Sequence, residues 1–143
     1  AYTVFTNQGA RVAPTLLARG PDAEVERATV FSPEVTRQVL AYMRATVTSG
    51  TGRAADVPGL AIAGKTGTAE LFGGATGYDE RRNFSSFAGV FPAHDPRYVI
   101  VVSLDGVGEG AVGGAIAAPV VARTLRRIAP MLGLRVEPAA QTR

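Results

Sequence analysis

The sequence predicts an α+β domain of antiparallel strands and flanking helices, on three observations. An amphipathic helical stripe opens at Ser32-Pro33-Glu34, three strand-like segments follow in succession, and an apolar, Ala-rich helical segment comes after them. Only the six residues Pro92 to Arg97 (PAHDPR) separate the second strand segment from the third. A parallel pair needs a crossover of a dozen or more residues, so these two form an antiparallel hairpin. With 143 residues, 46% apolar and 19% charged, the chain is sized and composed for one folded unit.

The elements follow in order. AYTVFTNQG reads as the last turns of an apolar helix closing on a polar turn at Gly9. It lacks an initiator Met and reads as a piece of a longer protein. Arg11 to Leu17 and Glu24 to Phe31 are extended candidates on either side of a Gly20-Pro21-Asp22 turn. Ser32 is an N-cap, Pro33 occupies the first helical position and Glu34 puts an acid in the first turn. Val35, Val39, Leu40, Met43 and Val47 then recur at three and four, giving one buried stripe that Gly50 ends. Ser49 to Pro58 is loop, Leu60 to about Leu71 strand, and Phe72 to Asn83, with Gly73, Gly74 and Gly77, surface loop. Phe84 to Phe91 and Tyr98 to Asp105 are the hairpin strands. Gly106 to Gly114 is loop, and Ala115 to Leu132 is a helix that tolerates Pro119 near its start and frays at Pro130. Residues 137–143 are expected to form a disordered tail after a unit spanning 1–136.

Composition narrows the function classes. The net charge of +3 is mild and the arginines are scattered, so no nucleic-acid partner is expected. The absence of Cys excludes disulfides and thiolate chemistry, and a single His, His94, makes a metal centre improbable. Neither metal nor cofactor is expected. No apolar run reaches the ~18 residues of a membrane span, so an anchor or export signal is expected outside these residues.

GLAIAGKTGTAE, from Gly59 to Glu70, admits two chemistries. Gly59, Gly64, Lys65 and Thr66 fit G-x-x-x-x-G-K-[ST], the phosphate loop of NTPases. That loop needs a buried strand before it and a sustained helix after it. Here SGTGRAADVP precedes it, and Gly67, Gly73 and Gly74 leave at most about six residues for a helix. YVIVVSLD (Tyr98 to Asp105) would suit a magnesium-binding strand, but it follows its neighbour through a turn too short for a parallel sheet. The alternative is the K-T-G triplet of penicillin-interacting serine enzymes. There a strand at the rim of a cleft presents a cation and hydroxyls beside a nucleophile. Lys65, the only lysine, can hold a hydrogen-bond network and attract an anion, and the hydroxyl of Thr66 or Thr68 can bind a carboxylate. Gly67 lets a ligand backbone approach the strand. Strict alternation puts Lys65 and Gly67 on one face and Thr66 and Thr68 on the other, so one site can use them all only if the strand is twisted or its edge is the site.

Six landmarks in order, AYTVFTNQG with VAPTLL, FSPEVTRQVLAYM, SGTGRAA, VPGLAIAGKTGTAE, SSFAGVFPAHDPRYVIVV and GGAIAAPVVARTL, widen the second reading. From Ala1 to about Val136 the chain resembles the C-terminal part of the transpeptidase domain of class B penicillin-binding proteins, most like the septal peptidoglycan D,D-transpeptidases of cell division. The resemblance implies the β-lactamase-like fold, a central antiparallel sheet flanked by helices on both faces. It implies acyl transfer from a stem peptide ending in D-Ala-D-Ala through a serine acyl-enzyme, a step that β-lactams intercept. Lys65, Thr66, Gly67 and Thr68 are then the third motif. Thr68 would bind the substrate carboxylate and lend its backbone N–H to the oxyanion hole, with Thr66 assisting. The implied partners are the rest of the same domain and a division-machinery glycosyltransferase, on the periplasmic side of the inner membrane and held there by an upstream anchor. A β-lactam sensor and a β-lactamase-like protein share much of this pattern.

Two motifs of that family are missing. The residue three before Lys65 is Ile62, so no S-x-x-K occurs, and no Ser-x-Asn occurs either. The nucleophile and its base are expected upstream, and these 143 residues alone are expected to be inactive. His94 and Asp95 resemble a catalytic pair but fall in a turn. Asp79, Glu80, Arg81 and Arg82 read as a solvated loop, and Thr51-Gly52 as a structural turn, with a role beside the site as its rival.

Overall fold

The computed structural model describes residues 1–20, 22–72, 78–108 and 112–136. Helix α1 (Thr3–Thr6) ends in a turn where Gln8 and Gly9 take positive φ. Strands β1 (Ala10–Val12) and β2 (Arg27–Thr29) pair antiparallel, Arg11 opposite Ala28. Of the two extended candidates, only Arg11 and Val12 of the first and Arg27–Thr29 of the second are strand. Gly9 is required where it stands, since a β-carbon would lie 2.2 Å from the Phe31 carbonyl oxygen.

Helix α2 (Pro33–Thr48) begins as the sequence predicts, with the Ser32 hydroxyl accepting from the Val35 N–H at 3.2 Å. Its buried stripe differs by one position. Thr36, Leu40, Met43 and Val47 face inward, while Val35 is 42% exposed. Thr36 can be buried because its hydroxyl donates to the Ser32 carbonyl at 2.9 Å, which leaves no polar group unpaired. After α2, Gly50 and Gly52 both donate to the Thr46 carbonyl, and a short 3-10 turn (Arg53–Ala55) follows.

The main sheet has the order β3-β4-β5, all antiparallel, with β3 (Ala63–Phe72), β4 (Tyr78–Phe91) and β5 (Tyr98–Val107). Strand β3 starts three residues later than Leu60. Gly59 and Ala61 take positive φ and Leu60 donates to the Val57 carbonyl, so the apolar residues before Ala63 bury themselves in a turn. The expected loop at 72–83 is mostly strand. Pairing of Leu71 with Asp79 and Phe72 with Tyr78 continues the hairpin past a bulge at Glu70, because a backbone ladder needs no apolar side chains. Residues Asp79 to Arg82 are therefore strand backbone rather than loop. The tip at 73–77 and the expected tail at 137–143 lie outside the described residues. The expected β4–β5 hairpin forms around the Pro92–Arg97 turn, with Phe91 opposite Tyr98.

Helices cover both faces of the sheet. On one, Leu40 and Met43 of α2 pack on Ala63 and Val90. On the other, helix α3 (Ala117–Ile128) and the 3-10 turn after it (Ala129–Leu132) set Val121, Ala122, Leu125 and Ala129 against Phe87, Phe91, Ile100 and Val102. Pro130 falls in that 3-10 turn, where the α-helix gives way. Among the described residues no helix is long and apolar enough to cross a membrane.

Phe87 sits at the centre of this second layer, fully buried, with three glycines around its ring. A β-carbon on Gly64 would lie 2.4 Å from Cζ, one on Gly89 2.9 Å from Cε1, and one on Gly52 3.3 Å from Cε2. Gly64, the residue that suggested a phosphate loop, thus makes room for an aromatic ring. Strand β3 runs straight through Lys65 and Thr66 where that loop would open a helix, and its neighbours are antiparallel, so the NTPase reading fails.

Candidate active site

Lys65, Thr66, Gly67 and Thr68 lie in the middle of β3, which has one neighbour, β4, among the described residues and so forms the edge of the sheet. Alternation divides them as the sequence predicts. Gly67 lies on the α2 side, where a β-carbon would meet the Ser86 hydroxyl at 2.6 Å. Thr66 and Thr68 lie on the α3 side, against the residues that lead into that helix. The long Lys65 side chain reconciles the two faces. Its ammonium donates to the Thr66 carbonyl at 2.8 Å and reaches the Thr66 hydroxyl at 3.4 Å. The edge of the strand is therefore where the cation and the hydroxyls meet.

Two further elements close on the Thr side. The Gly113 N–H donates to Thr68 Oγ1 at 3.1 Å, and Thr51 Oγ1 stands 2.9 Å from Thr66 Oγ1. Gly113 lies flat on the sheet, since a β-carbon there would stand 2.6 Å from the carbonyl oxygens of both Gly67 and Ser86. A β-carbon on Gly114 would likewise stand 2.4 Å from the Thr51 carbonyl oxygen. Only glycine permits backbone to rest on backbone at this distance. The turn after α2, strand β3 and the approach to α3 thus converge on two threonine hydroxyls. The sequence reading left Gly113 as loop. Its signal was the Gly113-Gly114 pair immediately before a helix, which marks close backbone approach.

His94 and Asp95 are elsewhere. Their turn is held beside Ala61, whose carbonyl accepts from the Ala93 N–H at 2.7 Å. Lys65 to Thr68 begin four residues further along the chain, beyond the start of β3. Asp95 pairs with Arg97 at 3.5 Å, and both side chains are largely exposed. His94 and Asp95 line a cleft of about 630 Å³ with Phe5, Thr36, Arg37 and Leu40. That cleft contains none of the four motif residues.

A family model of the penicillin binding protein transpeptidase domain matches residues 1–126. The chain belongs to that family. Among curated transpeptidases, the probable peptidoglycan D,D-transpeptidase FtsI of Caulobacter vibrioides is 36% identical over 94% of this chain and 25% of its own length. The probable peptidoglycan D,D-transpeptidase PbpC of Pseudomonas aeruginosa is also 36% identical, over 100% of this chain and 26% of its own. This chain therefore spans about a quarter of the transpeptidases it matches. Among solved transpeptidase structures, the apo transpeptidase domain of Burkholderia pseudomallei penicillin-binding protein 3 superposes with a TM-score of 0.75 at 33% identity, covering 89% of this chain and 40% of that one. Penicillin binding protein 3 of Mycobacterium tuberculosis, in complex with ampicillin, gives 0.77 at 28% identity, covering 99% and 35%. The sheet with a helix on each face is accordingly the α+β fold of a transpeptidase domain.

Proposed function

We propose that this chain is the C-terminal part of the transpeptidase domain of a septal peptidoglycan D,D-transpeptidase, and that its β3 edge is one wall of the active site. The observation that carries the proposal is the meeting of the Lys65 ammonium with the Thr66 hydroxyl at the open edge of a family-matched sheet, beside the Thr68 hydroxyl. In the reaction, a serine contributed by the upstream part of the domain attacks the carbonyl of the penultimate D-Ala. The terminal D-Ala leaves, and an amine of a neighbouring stem peptide takes the acyl group. Lys65 supports the donor network next to the serine, and Thr66 and Thr68 hold the terminal carboxylate. The backbone N–H of Thr68 stabilises the tetrahedral oxyanion, and Gly67 lets the peptide backbone lie along the edge. A β-lactam follows the same route and stalls as an acyl-enzyme.

The whole protein acts on the periplasmic side of the inner membrane, held by an upstream anchor, and works with a division-machinery glycosyltransferase. The test is covalent labelling by fluorescent penicillin. The full-length protein should be labelled and should release D-Ala from a pentapeptide stem. The 143-residue chain alone should not be labelled, since it contains no S-x-x-K. Absence of labelling in the full-length protein defeats the functional proposal, and labelling of the short chain defeats the assignment of the nucleophile upstream.

A further inference from the structure

We infer that Thr51, in the turn after α2, is a positioning residue whose hydroxyl fixes the direction of the Thr66 hydroxyl toward an anionic ligand. The inference rests on the functional reading above and adds a residue outside the K-T-G strand to it. A threonine hydroxyl offers one proton and two lone pairs, whereas an ammonium only donates. Lys65 therefore donates to Thr66 Oγ1, and in the inferred arrangement Thr51, whose hydroxyl lies 2.9 Å from the same oxygen and can donate or accept, takes the donor role. With both lone pairs filled, the Thr66 proton turns outward. Thr68 is treated the same way from the other side, because its oxygen accepts from the Gly113 N–H and its proton is left for a ligand. Two neighbouring hydroxyls so arranged are donors to a carboxylate before any ligand arrives, which is the condition for preorganised anion recognition.

The position of Thr51 is itself imposed. Gly50 and Gly52 on either side of it donate to the Thr46 carbonyl at 3.1 and 3.0 Å, and Gly52 is packed against Phe87. A β-carbon on Gly114 would press on the Thr51 carbonyl and stand 3.9 Å from Thr66 Cγ2, so the glycine lies against both. The hydroxyl is thus held at Thr66 by backbone on two sides, although the residue is solvent-exposed and a tight turn has no need of a hydroxyl there.

The test uses the full-length protein and the second-order rate constant of acylation by two ligands, benzylpenicillin and its methyl ester, in which the carboxylate is masked. Thr51→Val, which keeps the shape and removes the hydroxyl, should slow acylation by the free acid about tenfold, the effect of one hydrogen bond near ~1.4 kcal/mol. It should leave the rate with the ester within about twofold. Thr51→Ser should restore the free-acid rate. Equal losses with acid and ester, no loss with either, or failure of Thr51→Ser to restore the rate would each overturn the inference while leaving the functional proposal standing. Unlabelled wild-type protein would instead remove that proposal, and this inference with it. A melting temperature for each variant identifies a loss that comes from unfolding, and if Thr51→Val unfolds, the acid-to-ester rate ratio of Thr51→Ala decides the same question.

Discussion

Arg44 joins Asp56 to the backbone of Ile62: its Nη1 donates to Asp56 Oδ1 at 2.7 Å and to the Ile62 carbonyl at 2.8 Å, and Nη2 reaches Asp56 Oδ2 at 3.4 Å. One guanidinium thereby ties α2 to the loop and turn that deliver strand β3. The pair is only partly shielded from water, which discounts its charge energy, but the bond to a carbonyl adds to it. Arg44→Met should destabilise the full-length protein by about 1–2 kcal/mol. Urea denaturation checks this, and an unchanged midpoint would contradict it.

The ring of Phe87 leaves no space for a side chain at position 64. Gly64→Ala should cost about 1–3 kcal/mol through overpacking, and Phe87→Leu in the same protein should recover part of that loss. Thermal unfolding of the two single variants and the double variant measures the coupling. Strictly additive losses would mean that the ring and the glycine do not oppose one another.

Ser85 is fully buried on β4, and among the described residues its hydroxyl has no hydrogen-bond partner. Burying an unpaired hydroxyl costs on the order of 1–3 kcal/mol. Ser85→Ala should therefore hold or raise the melting temperature, against the usual direction of core truncations. A clear fall in melting temperature would show that the hydroxyl is satisfied in solution.

Lys65 and His94 separate the two places where chemistry could be sought. Lys65→Ala in the full-length protein should reduce acylation by fluorescent penicillin at least about 100-fold, the scale of removing one stabilising donor from an acyl-transfer site. His94→Ala should change it less than about twofold. The reverse pattern would move the site to the cleft beside α1.

Much of this architecture is legible in the sequence itself. The helix beginning at Ser32-Pro33, the antiparallel β4–β5 hairpin and the breakdown at Pro130 follow from local rules of capping, turn length and proline geometry. Lys65 to Thr68 stand out as candidates in the sequence because so few residue types in one short run carry so much chemistry. What stayed hidden depended on contacts between distant segments. Thr36 replaces Val35 in the core because its own hydroxyl is satisfied within the helix, which hydrophobic spacing does not register. The charged run Asp79 to Arg82 is strand because it lies between positions paired across the hairpin, Asp79 with Leu71 and Asn83 with Glu70. The roles of Gly113 and Thr51 depend on segments that are 45 and 15 residues from their partners.

The flank of β3 left open among the described residues also bears on how these 143 residues behave apart from the rest of the domain. A strand with unsatisfied backbone groups along one side invites any extended chain, including another copy of itself, to add on and keep growing. The residue stationed on that flank is the only lysine of the sequence, and a charge there penalises a guest strand that brings no anion to meet it. An uncharged side chain at position 65 should therefore leave the 143-residue chain more prone to self-association, which sedimentation velocity checks.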